Sequence, residues 1–167
     1  ALLAEEPLQA VFTKANADAE GHSINLLLAE LARQHPSRFH LFDNLGSRNF
    51  LSCLRHFDLM LGNSSSGLIE APAFELPVVN VGSRQDGRTR AQNVIDVGTE
   101  VSEIREGIRR ATSPEFRARL TGMSNPYDAY GDGDVAGRIV ATIKEFLAER
   151  NSLRKVFVDR PVGGTDA

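Results

Sequence analysis

Short, continuously apolar runs alternate along the chain with longer stretches whose apolar residues recur every three or four positions. QAVFTKA (9–15), FHLFDNL (39–45), DLMLG (58–62), PVVNVG (77–82) and NVIDVG (93–98) read as strands. INLLLAELARQH, with Ile24, Leu27, Leu28 and Leu31 at helical spacing, predicts a helix between the first two. SRNFLSCLRHF predicts another, with Ser47 as N-cap and Phe50, Leu51, Leu54 and Phe57 as its apolar stripe. SGLIEAPAFE reads as a short helix that stops near Pro77. VSEIREGIRRAT turns Val101, Ile104 and Ile108 inward, and SPEFRARLTGM follows as a further helix. VAGRIVATIKEFLAER is long and amphipathic, with Val135, Ile139, Val140, Ile143, Phe146 and Leu147 on one side.

Strands that are apolar throughout, and not at every second position, are buried on both faces. Alternation with helices then predicts an α/β fold, a Rossmann-like parallel sheet with helices on both faces. Residues 1–150 are expected to form this domain, and 151–167, ending RPVGGTDA, a tail. ALLAEEPLQ at the start reads as the end of a helix, so a strand and most of a helix are expected upstream of this sequence.

The polar run GNSSSG (62–67) interrupts this apolar pattern between a strand and a helix. Ligands of open parallel sheets bind outside the carboxyl ends of the strands. Hydroxyls and backbone N–H groups at a helix start favour an anion, and Gly62 and Gly67 let the backbone approach it. Ser64 and Ser65 are therefore candidate phosphate or diphosphate ligands. The alternative is an ordinary N-capped loop, but one cap needs one such residue. A nucleophilic serine fits less well. No Gly-x-Ser-x-Gly elbow is present, and all four histidines (His22, His35, His40, His56) precede the serines.

Glu70 follows within the first turns of the next helix. It is placed to accept hydrogen bonds from both hydroxyls of a ribose, or is simply a helix glutamate near a positive helix end. After the next strand, SRQDGRTR carries Arg84, Arg88 and Arg90. Arginine recognises phosphate bidentately, and Arg84 is nearest the strand end.

Composition changes this picture little. The net charge of −3 argues against a nucleic-acid partner. A single cysteine, Cys53, excludes an internal disulfide framework and reads as a small core residue. No apolar run reaches the roughly 18 residues of a membrane span, so a cytoplasmic, non-membrane protein is expected.

GNSSSGLIEAPAFELPVVNVGSRQDGR, preceded by NADAEG and followed by NVIDV, closely resembles hydrolysing UDP-N-acetylglucosamine 2-epimerases of sialic-acid and capsule pathways. The resemblance runs from about Val11 to Leu147. It implies the C-terminal, nucleotide-holding domain of a glycosyltransferase-B-type two-domain fold. On matching positions it implies that Ser64 and Ser65 contact the diphosphate, Glu70 the ribose hydroxyls, and Arg84 the nucleotide. From the resemblance alone come Asn16, reaching the ligand, and Leu45, beside the uracil. Glu20–His22 depart from the family pattern and add negative charge near the site.

The implied reaction eliminates UDP from UDP-N-acetylglucosamine and adds water to give N-acetylmannosamine, with no metal or redox cofactor. The implied acid–base carboxylates lie mainly in an N-terminal half, the expected partner of this chain, so no catalytic residue is assigned here. A homo-oligomer is expected as well, through apolar surface on the long final helix. Two other readings compete: a nucleotide-sugar-binding domain of a glycosyltransferase, and a non-catalytic nucleotide-sugar-binding module.

Overall fold

All five expected strands form in the computed structural model, which describes residues 8–15, 19–128 and 132–149. They are β1 (Ala10–Thr13), β2 (Phe39–Phe42), β3 (Met60–Gly62), β4 (Val78–Val81) and β5 (Val94–Val97). The helices are α1 (Ala19–Gln34), α2 (Gly46–His56), α3 (Ser66–Ile69), α4 (Val101–Ala111), α5 (Pro114–Leu120) and α6 (Val135–Ala148). A 3-10 turn, Ala71–Phe74, follows α3. The chain divides into two compact units, Ala1–Ala129 and Tyr130–Ala167. The expected tail, residues 151–167, lies outside the described residues.

Among the described residues all strand pairing is parallel. β1 and β2 form one sheet, with Ala10 opposite Phe39. β3, β4 and β5 form a second, in that order, with Gly62 opposite Asn80 and Val81 opposite Val97. The carboxyl ends of β3, β4 and β5 therefore share one edge. β4 explains why these strands are apolar at successive positions. Val79 packs with Ile95, Ala111, Phe116 and Leu120 under α4 and α5. Its neighbour Val78 packs on the opposite face with Leu54 of α2, Ala71 and Leu76. Side chains alternate across a strand, so a sheet covered on both faces needs both kinds of position apolar. The smaller sheet is anchored by Phe39, 1% exposed, beneath the Arg38 guanidinium and against the rings of His35 and Phe12.

Three expectations need correction. Ser47 is not the N-cap of α2. That helix has Leu45 as N-cap and begins at Gly46, whose N–H donates to Asn44 Oδ1 at 2.5 Å, so an Asx-type turn opens it two residues earlier. Val101 is not inward but 53% exposed, because it stands at the first position of α4, before the helix meets the sheet. The apolar spacing of α1 does not make a buried face throughout: Ile24 and Leu27 are 47% and 72% exposed. Within the second unit, the apolar positions of α6 are exposed in the same way, with Ile139 at 54% and Leu147 at 57%. Among the described residues no helix is long and apolar enough to cross a membrane.

Candidate functional site

The polar run leaves β3 through Gly62, whose φ of +142° is a conformation glycine adopts and side-chain-bearing residues rarely do. The chain then turns sharply into α3. Ser66 N–H donates to Ser64 Oγ at 3.3 Å, Gly67 N–H to the Ser64 carbonyl at 3.2 Å and Leu68 N–H to the Ser65 carbonyl at 2.9 Å. Ser65 is the N-cap of α3, yet its side chain accepts no capping hydrogen bond. The N–H groups of Ser64 and Ser65 are thus left outside this turn pattern, and both hydroxyls keep their O–H protons, since Ser64 Oγ only accepts within it. Among the described residues of the run these are donors available to an anion.

The helix behind them is shorter than expected. α3 spans Ser66–Ile69 and passes directly into the 3-10 turn, where Pro72 is buried. Four residues give little macrodipole, so individual N–H and O–H donors carry any anion affinity, not the helix as a whole. α3 also lies very close to the sheet. A Cβ at Gly67 would stand 2.7 Å from Val78 Cγ1, so the second glycine of the run is needed for close packing as much as for ligand approach.

Glu70 sits at the junction of α3 and the 3-10 turn, one turn past Ser66, whose carbonyl accepts the Glu70 N–H. It is half-buried, and its Oε2 is buried without a hydrogen-bond partner among the described residues. A shielded carboxylate oxygen with no donor is costly, and incoming hydroxyls would relieve that cost.

The loop after β4 lies against the serine run. Arg84 is exposed, and its Nη1 donates to Asn63 Oδ1 at a long 3.5 Å. Gln85, 3% exposed, donates from Nε2 to the Asn63 carbonyl at 2.7 Å. Arg90 serves the loop itself: it bonds Asp86 Oδ1 at 3.4 Å, Asp96 Oδ2 at 3.0 Å and the Arg88 carbonyl at 3.1 Å. Asp96 also accepts from Asn80 Nδ2 at 2.7 Å across the β4–β5 pair, which are register partners. Among the three arginines, Arg84 is the one that reaches the serine run.

Ser64, Ser65, Glu70 and Arg84 therefore all follow strands of the three-stranded sheet at its carboxyl edge. Leu45 belongs elsewhere: it is the half-buried N-cap of α2, after β2 of the two-stranded sheet. Asn16 lies outside the described residues. Its neighbour Ala15 is held by Asn25, through Ala15 N–H to Asn25 Oδ1 at 2.8 Å and Asn25 Nδ2 to the Ala15 carbonyl at 3.2 Å.

Sequence reasoning missed Asn63, Gln85, Asn80, Asp96 and Asn93. Two of them left a signal. Asn80 in VVNV and Asp96 in VIDV are lone polar residues at the same place in adjacent apolar strands, as a buried cross-strand pair requires. Gln85 stands among arginines, whose charge is the stronger local signal for an anion site.

Comparison with known proteins finds nucleotide-sugar epimerases. A hydrolysing GDP/UDP-N,N'-diacetylbacillosamine 2-epimerase from Campylobacter jejuni is 43% identical over 64% of this chain and 27% of its own length. A hydrolysing UDP-N,N'-diacetylbacillosamine 2-epimerase from Legionella pneumophila is 39% identical over 89% of this chain and 37% of its own length. The chain thus spans about a third of these relatives. The crystal structure of UDP-GlcNAc 2-epimerase from Neisseria meningitidis bound to UDP-GlcNAc superposes with a TM-score of 0.55 and 20% identity, covering 84% of this chain and 45% of that one. The Rossmann-like architecture of glycosyltransferase-B type is the one expected. The UDP-N-acetylglucosamine 2-epimerase family model matches residues 1–144, and the chain belongs to that family.

Proposed function

We propose that this chain is the nucleotide-holding half of a hydrolysing epimerase that converts UDP-N-acetylglucosamine and water to N-acetylmannosamine and UDP. The observation that carries it is the meeting of the serine run with Arg84 at the carboxyl edge of β3 and β4. Ser64 and Ser65 hold the diphosphate with N–H and O–H donors, and Arg84 adds the positive charge. Glu70 receives the ribose hydroxyls at its unpartnered Oε2. Leu45, after β2, lies beside the uracil, and Asn16 reaches the ligand, both as the family resemblance implies. Stabilising the departing diphosphate is this half's task in the elimination, and the base and acid come from the other half.

Two results test the reading. The isolated 167-residue chain should bind UDP yet turn over no UDP-N-acetylglucosamine; measurable N-acetylmannosamine from this chain alone would overturn the division of labour. Ser64→Ala should weaken UDP binding and leave uridine binding nearly unchanged, since only the diphosphate meets that serine. Equal weakening of both ligands in a calorimetric titration removes the serines from the diphosphate site.

The names of the two relatives favour a second reading of the sugar alone, a diacetamido sugar in place of N-acetylglucosamine. Offering both UDP-sugars to the whole enzyme and comparing kcat/KM decides between them.

A further inference from the structure

Two buried amides from the β4–β5 connection grip the serine run at its two ends. At the entrance, Gln85 Nε2 donates to the Asn63 carbonyl at 2.7 Å. At the exit, Asn93, 0% exposed, donates from Nδ2 to the Gly67 carbonyl at 3.4 Å and to the Leu76 carbonyl at 2.9 Å. Its own backbone carbonyl accepts from Val78 N–H at 2.8 Å, which ties the grip to β4. Neither Gln85 Oε1 nor Asn93 Oδ1 has a partner among the described residues, so both side chains are held through their NH2 groups.

We propose that Gln85 and Asn93 are positioning residues that fix the backbone of Ser64–Ser66 in its diphosphate-binding shape before a ligand arrives. The proposal rests on the nucleotide reading above and assigns the two side chains a part in it. A segment of serines flanked by glycines has many accessible conformations, and ordering one of them on binding weakens affinity. Buried donors at both ends remove that loss in advance. Gln85 has a second effect. Asn63, which it holds by the main chain, is also the residue whose side chain meets Arg84, so one buried amide sets both the serine donors and the anchor of the cation.

Gln85→Met keeps the side chain's length and removes the donor. In the ligand-free chain, amide hydrogen exchange over Ser64–Leu68 is expected to accelerate, while Val79–Val81 of β4 exchange as before. UDP affinity is expected to fall about fivefold, the effect of losing one buried hydrogen bond, with uridine affinity unchanged. Gln85→Glu gives the same loss at neutral pH, because a carboxylate cannot donate to the Asn63 carbonyl. Burial raises the pKa of such a carboxyl, so as pH falls it protonates and its O–H can donate. UDP affinity then recovers in Gln85→Glu relative to Gln85→Met, which controls for protonation of the ligand. Unchanged exchange over Ser64–Leu68, a retained UDP-to-uridine ratio in Gln85→Met, or no acid recovery in Gln85→Glu overturns the positioning role alone. A wild-type chain that binds UDP no better than uridine overturns the diphosphate reading itself, and this proposal with it.

Discussion

Arg84→Ala is expected to weaken UDP binding by about tenfold or more, since a hydrogen bond to a charged group contributes about 1.5–3 kcal/mol. The fold should hardly notice. Arg84 is exposed, and its contact with Asn63 Oδ1 is long at 3.5 Å. A surface change of this kind shifts stability by no more than about 0.5 kcal/mol. Arg90 would be a poor target for the same test, because its bonds to Asp86 and Asp96 hold the loop together and its loss would confound binding with folding. Arg84→Lys separates charge from geometry. A planar fork binds phosphate through two parallel donors and an ammonium does not, so lysine should restore only part of the affinity. Titration of the isolated chain with UDP provides the measurement. Wild-type affinity in Arg84→Ala means that the guanidinium does not touch the diphosphate.

Gly67→Val should be the most damaging single change to the serine run. Even a bare Cβ at Gly67 would come within 2.7 Å of Val78 Cγ1. Val78 cannot yield easily, as it is 2% exposed and packed among Leu54, Ala71 and Leu76. Forcing extra carbons into a close-packed contact costs about 1–3 kcal/mol. For a domain of this size each kcal/mol lowers the melting temperature by about 2–4 °C. α3 must move away from β4 to relieve the clash, and the Ser64 and Ser65 donors move with it. Thermal unfolding should therefore shift down while UDP binding is lost. A valine variant that melts like the wild type would show that α3 does not lie as close to the sheet as the Gly67 contact requires.

Much of the fold is legible in the sequence. The five strands stand where the mostly apolar runs are, and a strand covered on both faces, as β4 is, has apolar residues at successive positions. The serine run marks a candidate site for the opposite reason: four small polar residues between two apolar pieces exceed what one helix cap needs. Glu70 could be picked from its place after that run. Its buried Oε2, without a partner among the described residues, could not, since burial depends on which distant segments pack around it. Helix faces were the weakest part. Spacing identified the apolar residues of α1, but Ile24 and Leu27 remain exposed, because periodicity says which residues share a face and not what covers it.

By itself, then, the sequence determined the order and type of the elements, the parallel α/β class, the position of the polar run at a strand's end, and membership of the epimerase family. These follow from local rules, where period, turn chemistry and the length of apolar runs act over a few residues. Only the tertiary structure decided that Asn63 is held by Gln85, 22 positions away, and Gly67 by Asn93, 26 positions away. It also decided that Arg84, and neither Arg88 nor Arg90, reaches the serine run. Parallel strands bring such distant segments to one edge, and pairing across that distance leaves no trace in the local spacing of residues. The donors that would face a diphosphate are written in GNSSSG, but what holds them in place comes from the other side of a strand.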